Sequence, residues 1–129
     1  MLLNAEFVIV AHVDILAWEG GLPGFAQAGP GGVDAVLARV ESRPLRRADD
    51  IFGIAAMYAV AIARGHVFND GNKRTALVCA LAYLGEQGYD LSATPDIEED
   101  LVETMVDVAE GNISREELAD YLGVICAIR

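Results

Sequence analysis

Positive charge and cysteine are both scarce in this chain of 129 residues. Lysine and arginine together number 9 against 20 aspartates and glutamates, which gives a formal net charge of −11 at pH 7. A molecule this acidic is a poor general binder of nucleic acid, so no direct nucleic-acid contact is expected. The 2 cysteines, Cys79 and Cys126, lack the spacing of a metal-binding pair. A cytoplasmic location, where thiols stay reduced, is therefore expected.

Long apolar runs and prolines are also few. The apolar start of the chain has no cationic residue and is interrupted by Asn4, Glu6, His12 and Asp14. This pattern fits a buried helix better than a signal peptide or a membrane span, so no membrane partner is expected. With 53% hydrophobic residues and only 4 prolines, residues 1–129 are predicted to form one compact domain.

Apolar residues recur at helical spacing along most of the sequence, which predicts an all-α bundle of about six helices. The predicted helices run, in order, from Ala5 to Trp18, from about Val33 to Pro44, from about Asp49 to Arg64 and from about Asn72 to Gly88, with a fifth opening at Asp96–Glu99 and a sixth at Ser114. Ser114 and Glu117 have the spacing of a capping box. An extended stretch over Tyr89–Ala93 is the one candidate strand, and Trp18 is expected to close the end of the core.

The few cations are unevenly distributed along the chain. Seven of them lie in one central window: Arg39, Arg43, Arg46, Arg47, Arg64, Lys73 and Arg74. From Asp90 onward, the cations are Arg115 and Arg129, among many carboxylates. A local cationic site inside an acidic molecule suits a small polyanion such as a nucleotide. The alternative is that Arg39 to Arg47 only solvate a helix and the turn after it.

The segment His66–Arg74, with the sequence HVFNDGNKR, is the most informative part of the chain. It carries a proton acceptor, a carboxylate, an amide and two cations around one glycine. Gly65 stands where a left-handed helix cap is expected. A loop that opens a new helix near Asn72 exposes the helix's first unpaired N–H groups, and these bind anions with the helix dipole behind them.

The predicted phosphate-binding residues are Arg64, Gly71, Asn72, Lys73 and Arg74. Lys73 would act as a point charge, while the Arg74 guanidinium can donate bidentate hydrogen bonds to two phosphate oxygens. Arg64 is expected to reach the same pocket from the preceding helix.

His66 is the candidate general base, because histidine is partly neutral near pH 7 and can take a proton from an attacking hydroxyl. Asp70 has two possible roles, as a helix cap or as a ligand for Mg²⁺, which usually takes one or two carboxylates plus phosphate oxygens. Phe68 is expected to anchor the loop in the core, and His12 to be a packed residue.

These residues resemble the core motif of the Fic/Doc family, His-x-Phe-x-(Asp/Glu/Asn)-(Gly/Ala)-Asn-x-Arg. Most Fic enzymes have glycine at the position of Lys73 and a second arginine at the position of Leu77. The two departures resemble the Doc branch, the toxin half of a toxin–antitoxin pair. The resemblance extends thinly to Gly20–Gly24, and it favours Asp70 as the metal ligand with Asn69 as the helix cap.

The resemblance implies a protein kinase with a Fic-type site that uses ATP and Mg²⁺. Fic enzymes transfer AMP, whereas in the Doc branch the nucleotide is understood to bind reversed and to offer its γ-phosphate. The target implied by the family is a threonine of elongation factor Tu, whose phosphorylation halts translation. Two alternatives stay open: AMP transfer to a protein hydroxyl, and a catalytically silent member that acts as an antitoxin-binding module.

An antitoxin protein is the expected partner. Many Fic proteins carry an inhibitory helix with the pattern (Ser/Thr)-x-x-x-Glu-(Gly/Asn), but at Glu110–Gly111 the hydroxyl position is Val106. An external antitoxin is therefore expected to insert a helical segment into a groove near the active site. Two further departures from the family are Val67, where proline is commonest, and Trp18–Glu19, where a basic residue is common.

Overall fold

The computed structural model describes residues 3–26, 29, 31–42, 50–91 and 96–128. Within these ranges the chain forms six α-helices, so the predicted all-α fold of about six helices is confirmed. They are α1 (Ala5–Glu19), α2 (Gly31–Glu41), α3 (Ile51–Arg64), α4 (Asn72–Glu86), α5 (Ile97–Glu110) and α6 (Arg115–Ile125). Pro44, the predicted end of α2, lies outside the described residues.

Short polar side chains begin three of these helices. The side chain of Asn4 accepts a hydrogen bond from Phe7 N–H at 2.8 Å, and Asp50 accepts one from Gly53 N–H at 3.0 Å. The predicted capping box of α6 is present, with Ser114 and Glu117 each bonded to the other's backbone. Each cap satisfies donors that the first helical turn leaves unpaired, which fixes where the helix starts.

Helix α3 lies at the centre of the molecule and packs against α2, α4, α5 and α6. Its sequence alternates small and large apolar residues, which lets neighbouring helices approach closely while the larger side chains fill the space between them. The buried residues of α3 are Ile54, Ala55, Ala56, Tyr58, Ala59, Ile62 and Ala63.

The cysteines behave as apolar residues. Cys79 on α4 is fully buried, as predicted, and burial raises the pKa of its thiol to about 12. Cys126 is also buried, which raises the pKa of its thiol. Both side chains are free thiols.

Two short strands join the end of the chain to the turn after α4. Strand β1 (Tyr89–Leu91) pairs antiparallel with β2 (Cys126–Ile128), with Asp90 opposite Ala127. The extended stretch predicted after Gly88 is therefore a strand up to Leu91, and the positions that follow lie outside the described residues. No helix in the described part of the chain is long and apolar enough to cross a membrane.

One prediction about the core is wrong. Trp18 was expected to close the end of the core, but its side chain is 90% exposed on the last turn of α1. The buried residues of α1 are instead Val8 and His12, one turn apart on the face towards the core. Trp18 lies six residues after His12, which places it on a different side of the helix.

Truncating a side chain at the centre of the core should destabilise the protein strongly. Leu84 is fully buried, so Leu84→Ala should lower the free energy of unfolding by about 2–5 kcal/mol, measured by denaturant titration. The control is Val124→Ala, because Val124 is 81% exposed and its truncation should change stability by less than about 0.5 kcal/mol. Equal losses in the two variants would contradict the packing described above.

Candidate active site

The loop between α3 and α4, residues 65–71, is called the motif loop, and it begins with a tightly packed glycine. Gly65 was predicted as a left-handed cap, but its φ is −79°, in the right-handed region, and the positive φ of 48° belongs to His66. The glycine is required for space. A Cβ at Gly65 would lie 2.6 Å from the carbonyl oxygen of Ala61 and 2.9 Å from Cγ2 of Val36.

Phe68 anchors the loop in the core, as predicted. Its side chain is buried and stacks on the ring of His12, with centroids 3.7 Å apart and an angle of 7° between the ring planes. His12 is also buried, so its predicted packing role is confirmed. The motif loop is thereby attached to α1.

The glycine-rich loop is the segment after α1, described here over residues 20–26. It runs alongside the motif loop and is hydrogen-bonded to it through the backbone. Ala26 N–H donates to Val67 C=O at 2.9 Å, and Asn69 N–H donates to Gly24 C=O at 3.1 Å. These two bonds flank the point where Phe25 and Phe68 pair antiparallel. The two loops therefore form one structural unit.

The side chains of Asn69 and Asp70 strengthen this union, and neither caps α4. Asn69 Nδ2 donates to Pro23 C=O at 3.0 Å, while Asp70 Oδ2 accepts from Leu22 N–H at 2.6 Å. The N-cap is Gly71, with a φ of 82° and no side-chain cap bond. Capping by Asn69, and the capping alternative for Asp70, are therefore wrong, because both side chains are committed to the neighbouring loop.

The backbone donors in the first turn of α4 are not used by a side-chain cap. None of the side chains that the structure describes caps them, and the α4 N-terminus carries the positive end of the helix dipole. The side chain of Asn72 turns back instead: its Oδ1 accepts from Phe68 N–H at 3.0 Å, and its Nδ2 donates to Phe68 C=O at 2.9 Å. The amide predicted to bind phosphate instead clamps the loop, so the backbone N–H is the group of Asn72 that stays a candidate donor for an anion.

A cavity of about 400 Å³ opens at this helix start, within the size range of small-molecule sites. It brings together six of the seven predicted site residues: His66, Asp70, Gly71, Asn72, Lys73 and Arg74. His66, Lys73 and Arg74 are exposed, so an imidazole and two cations face the same solvent-accessible space. The opposite wall is apolar and comes mainly from α5.

Arg64, the seventh predicted residue, lies elsewhere. Its Nε donates to Val108 C=O and its guanidinium donates to Ile113 C=O, each at 2.8 Å. It therefore stabilises the turn after α5. The negative end of the α5 dipole lies there and also favours a cation. Arg64 lines a separate cavity with Arg39 and Arg115, so its assignment to the phosphate site is corrected.

Two site contacts were missed at the sequence level because their partners are far apart in the chain. Glu19 forms an ion pair with Arg74, with 3.1 Å between Oε1 and the guanidinium nitrogen. His12 Nε2 lies 2.7 Å from the carbonyl oxygen of Asp70. The only sequence signal was the acidic residue just before the Gly-Gly turn, at a position where a basic one is common.

Comparison with known proteins places this geometry in context. Residues 2–84, which run from the start of α1 through the motif loop and most of α4, match the Fic/DOC family. The chain is also similar to the protein kinase doc of Escherichia phage P1, with 39% identity over 121 residues that span 93% of this chain and 91% of the relative. The chain belongs to the Fic/DOC family. The resemblance first seen in the motif is thus confirmed, and the similarity extends to the helices beyond the family match.

The clamp between Asn72 and Phe68 generates a stability prediction for this Fic/DOC loop. Asn72→Ala should lower the free energy of unfolding by about 1–3 kcal/mol in the absence of any ligand, because it leaves two backbone groups of Phe68 without partners. Asn112→Ala is the control, since the Asn112 side chain makes one exposed bond to Glu110. Thermal or denaturant unfolding that shows the same small loss in both variants would rule out the clamp.

Proposed function

We propose that this Fic/DOC protein is a Doc-like toxin that transfers the γ-phosphoryl group of ATP to a protein hydroxyl. The observation that carries the proposal is the exposed imidazole of His66 beside the uncapped α4 N-terminus, in one cavity with Lys73 and Arg74. A relative of 39% identity is named as a protein kinase, which supports phosphoryl transfer. The proposed target is a threonine of elongation factor Tu, with arrest of translation as the consequence.

In the proposed reaction the target oxygen attacks the γ-phosphorus while the bond to the bridging oxygen breaks, so that ADP leaves. His66 takes the proton of the hydroxyl as the new oxygen–phosphorus bond forms. The α4 N–H groups, together with Lys73 and Arg74, stabilise the phosphate charge in both ground and transition states. The left-handed backbone of His66 (φ 48°) lets the imidazole project from the loop rather than continue α3.

The residues present fit a magnesium ion that enters with the nucleotide. Asp70 lines the cavity, and the hydrogen bond from Leu22 occupies one of its carboxylate oxygens. Among the described residues no group of three or more histidine, cysteine, aspartate or glutamate side chains is arranged to hold a metal alone. One carboxylate plus phosphate oxygens is a usual Mg²⁺ ligand set. When bound, the ion would neutralise phosphate charge.

Lys73 supports phosphoryl transfer over AMP transfer. A lysine side chain at this position takes up space in the anion site that a glycine would leave for the inner phosphates. Its charge also suits the terminal phosphate of a nucleotide bound in the reversed direction. We therefore assign the γ-phosphate, rather than the α-phosphate, to the position nearest His66.

An apolar groove beside the cavity is the proposed docking place for a helical segment of the antitoxin. The groove lies between α1 and α4, and its lining includes Phe7, Val10, Trp18, Val78 and Arg74. The first four side chains are 36–90% exposed, an arrangement typical of a surface that a partner covers. An amphipathic helix in this groove would reach Arg74 and obstruct the phosphate site.

Replacing His66 should abolish transfer without unfolding the protein. We choose His66→Asn because asparagine tolerates the left-handed backbone but cannot serve as the base. With ATP, Mg²⁺ and elongation factor Tu, the wild type should add a phosphate-sized mass, and the variant should be slower by about 10²–10⁴-fold. Thermal unfolding provides the control for folding, since the transition temperatures should match.

Two other outcomes would replace this function with an alternative. An AMP-sized adduct on the target, labelled from the α-phosphate of ATP, would assign the protein to nucleotidyl transfer. Growth arrest that persists undiminished in cells expressing His66→Asn would indicate a non-catalytic binding module, in which the loop serves only as a helical junction.

The Glu19–Arg74 ion pair predicts that this protein binds nucleotide more weakly than it would with Arg74 unpaired. Glu19→Gln should tighten ATP binding by about two- to fivefold, because an exposed ion pair is worth up to about 1 kcal/mol and Arg74 becomes free for phosphate. The matched control is Glu116→Gln, which opens the Arg115–Glu116 pair away from the cavity and should leave affinity unchanged. Calorimetric titration would measure both, and unchanged affinity in Glu19→Gln would show that the pair does not compete.

A further inference from the structure

His12 makes a contact that its packing role does not require. It lies on α1, is 3% exposed, and its Nε2 is 2.7 Å from the carbonyl oxygen of Asp70, 58 positions away in the chain. Because a carbonyl oxygen only accepts hydrogen bonds, the nitrogen facing it carries the proton and donates. A leucine or phenylalanine would fill the same space without this bond.

The bond fixes the orientation of the Asp70–Gly71 peptide. The described residues contain no cis peptide bond, so the C=O and N–H of this unit point in opposite directions. With the carbonyl of Asp70 turned inwards to His12, the N–H of Gly71 points away from His12. Gly71 itself lines the cavity, immediately before the uncapped donors of α4.

The fit between the loop and His12 is also close in space. A Cβ added at Gly71 would lie 3.4 Å from Cδ2 of His12 and 3.5 Å from Cδ2 of Leu16. The ring of His12 meanwhile stacks on Phe68, two residues before Asp70. The imidazole therefore contacts the loop through its ring face and through one nitrogen, and these two contacts can be separated by substitution.

We infer that His12 is a positioning residue of the phosphate site, acting through the Asp70–Gly71 peptide. Its Nε2–H holds the carbonyl inwards, which aims the Gly71 N–H and the first turn of α4 at a bound phosphate. The inference rests on the proposed function, since it assigns His12 to the same anion site. It adds a residue on α1 that touches neither nucleotide nor target.

Two variants separate the hydrogen bond from the packing. His12→Phe keeps a flat ring against Phe68 but has no donor for the carbonyl. His12→Gln loses the ring stack but places an amide donor at a similar distance from the backbone. Positioning by the bond predicts that His12→Phe loses about 10²-fold in kcat for transfer, while His12→Gln stays within about fivefold of wild type. Thermal unfolding of each variant reports packing separately.

The opposite ranking, or equal losses in both variants, would overturn the inference, because the ring would then matter at least as much as the donor. Titration with tripolyphosphate, followed through the backbone amide NMR signal of Gly71, makes the same comparison without requiring transfer. A wild type that binds tripolyphosphate through Gly71 but transfers nothing would refute the proposed function and leave His12 to be judged by that signal. A Gly71 signal that does not respond in the wild type would refute the inference itself.

Discussion

The site depends on one constraint: the loop between α3 and α4 must keep its polar backbone turned towards α1 and its helix start turned towards solvent. The side chain of Asn72 binds both backbone groups of Phe68, and the side chain of His12, on α1, binds the carbonyl of Asp70. The glycine-rich loop contributes the N–H of Leu22, which donates to the Asp70 carboxylate. With these bonds made, the donors at the α4 N-terminus have no internal partner among the side chains described, which is what the proposed anion site requires.

Sequence reasoning predicted those parts of the fold whose signals are local. The six helices, the capping box at Ser114 and the packing of Phe68 follow from periodicity and short-range chemistry, which a single sequence carries directly. The candidate residues from His66 to Arg74 were brought together for the same reason, since they lie within one turn and one loop. The prediction of the strand after Gly88 also depended only on neighbouring residues.

The errors arose where a side chain has a partner distant in sequence. Asn69 and Asp70 are residue types that often cap helices, but here both side chains form hydrogen bonds to the backbone of the glycine-rich loop instead. Arg64 is near the motif in sequence, yet its side chain donates to the backbone carbonyls of Val108, in the last turn of α5, and of Ile113, after that helix. At Gly65 the space for a Cβ is limited both by Ala61 of the same helix and by Val36 of α2, and only the second of these contacts is distant in sequence.

In the proposed phosphate site the donors are largely backbone groups, and this shapes how the site can vary. A backbone N–H cannot be removed by substitution other than to proline, so the chain can tune the site only through the residues that orient the loop or change the nearby charge. Glu19 is such a residue, because it places a carboxylate on the one guanidinium that faces the cavity among the residues described. In a chain with a net charge of −11, this leaves the α4 N-terminus and Lys73 as the dominant attraction for phosphate. Binding should then depend more on how well the loop is held than on how many cations surround it.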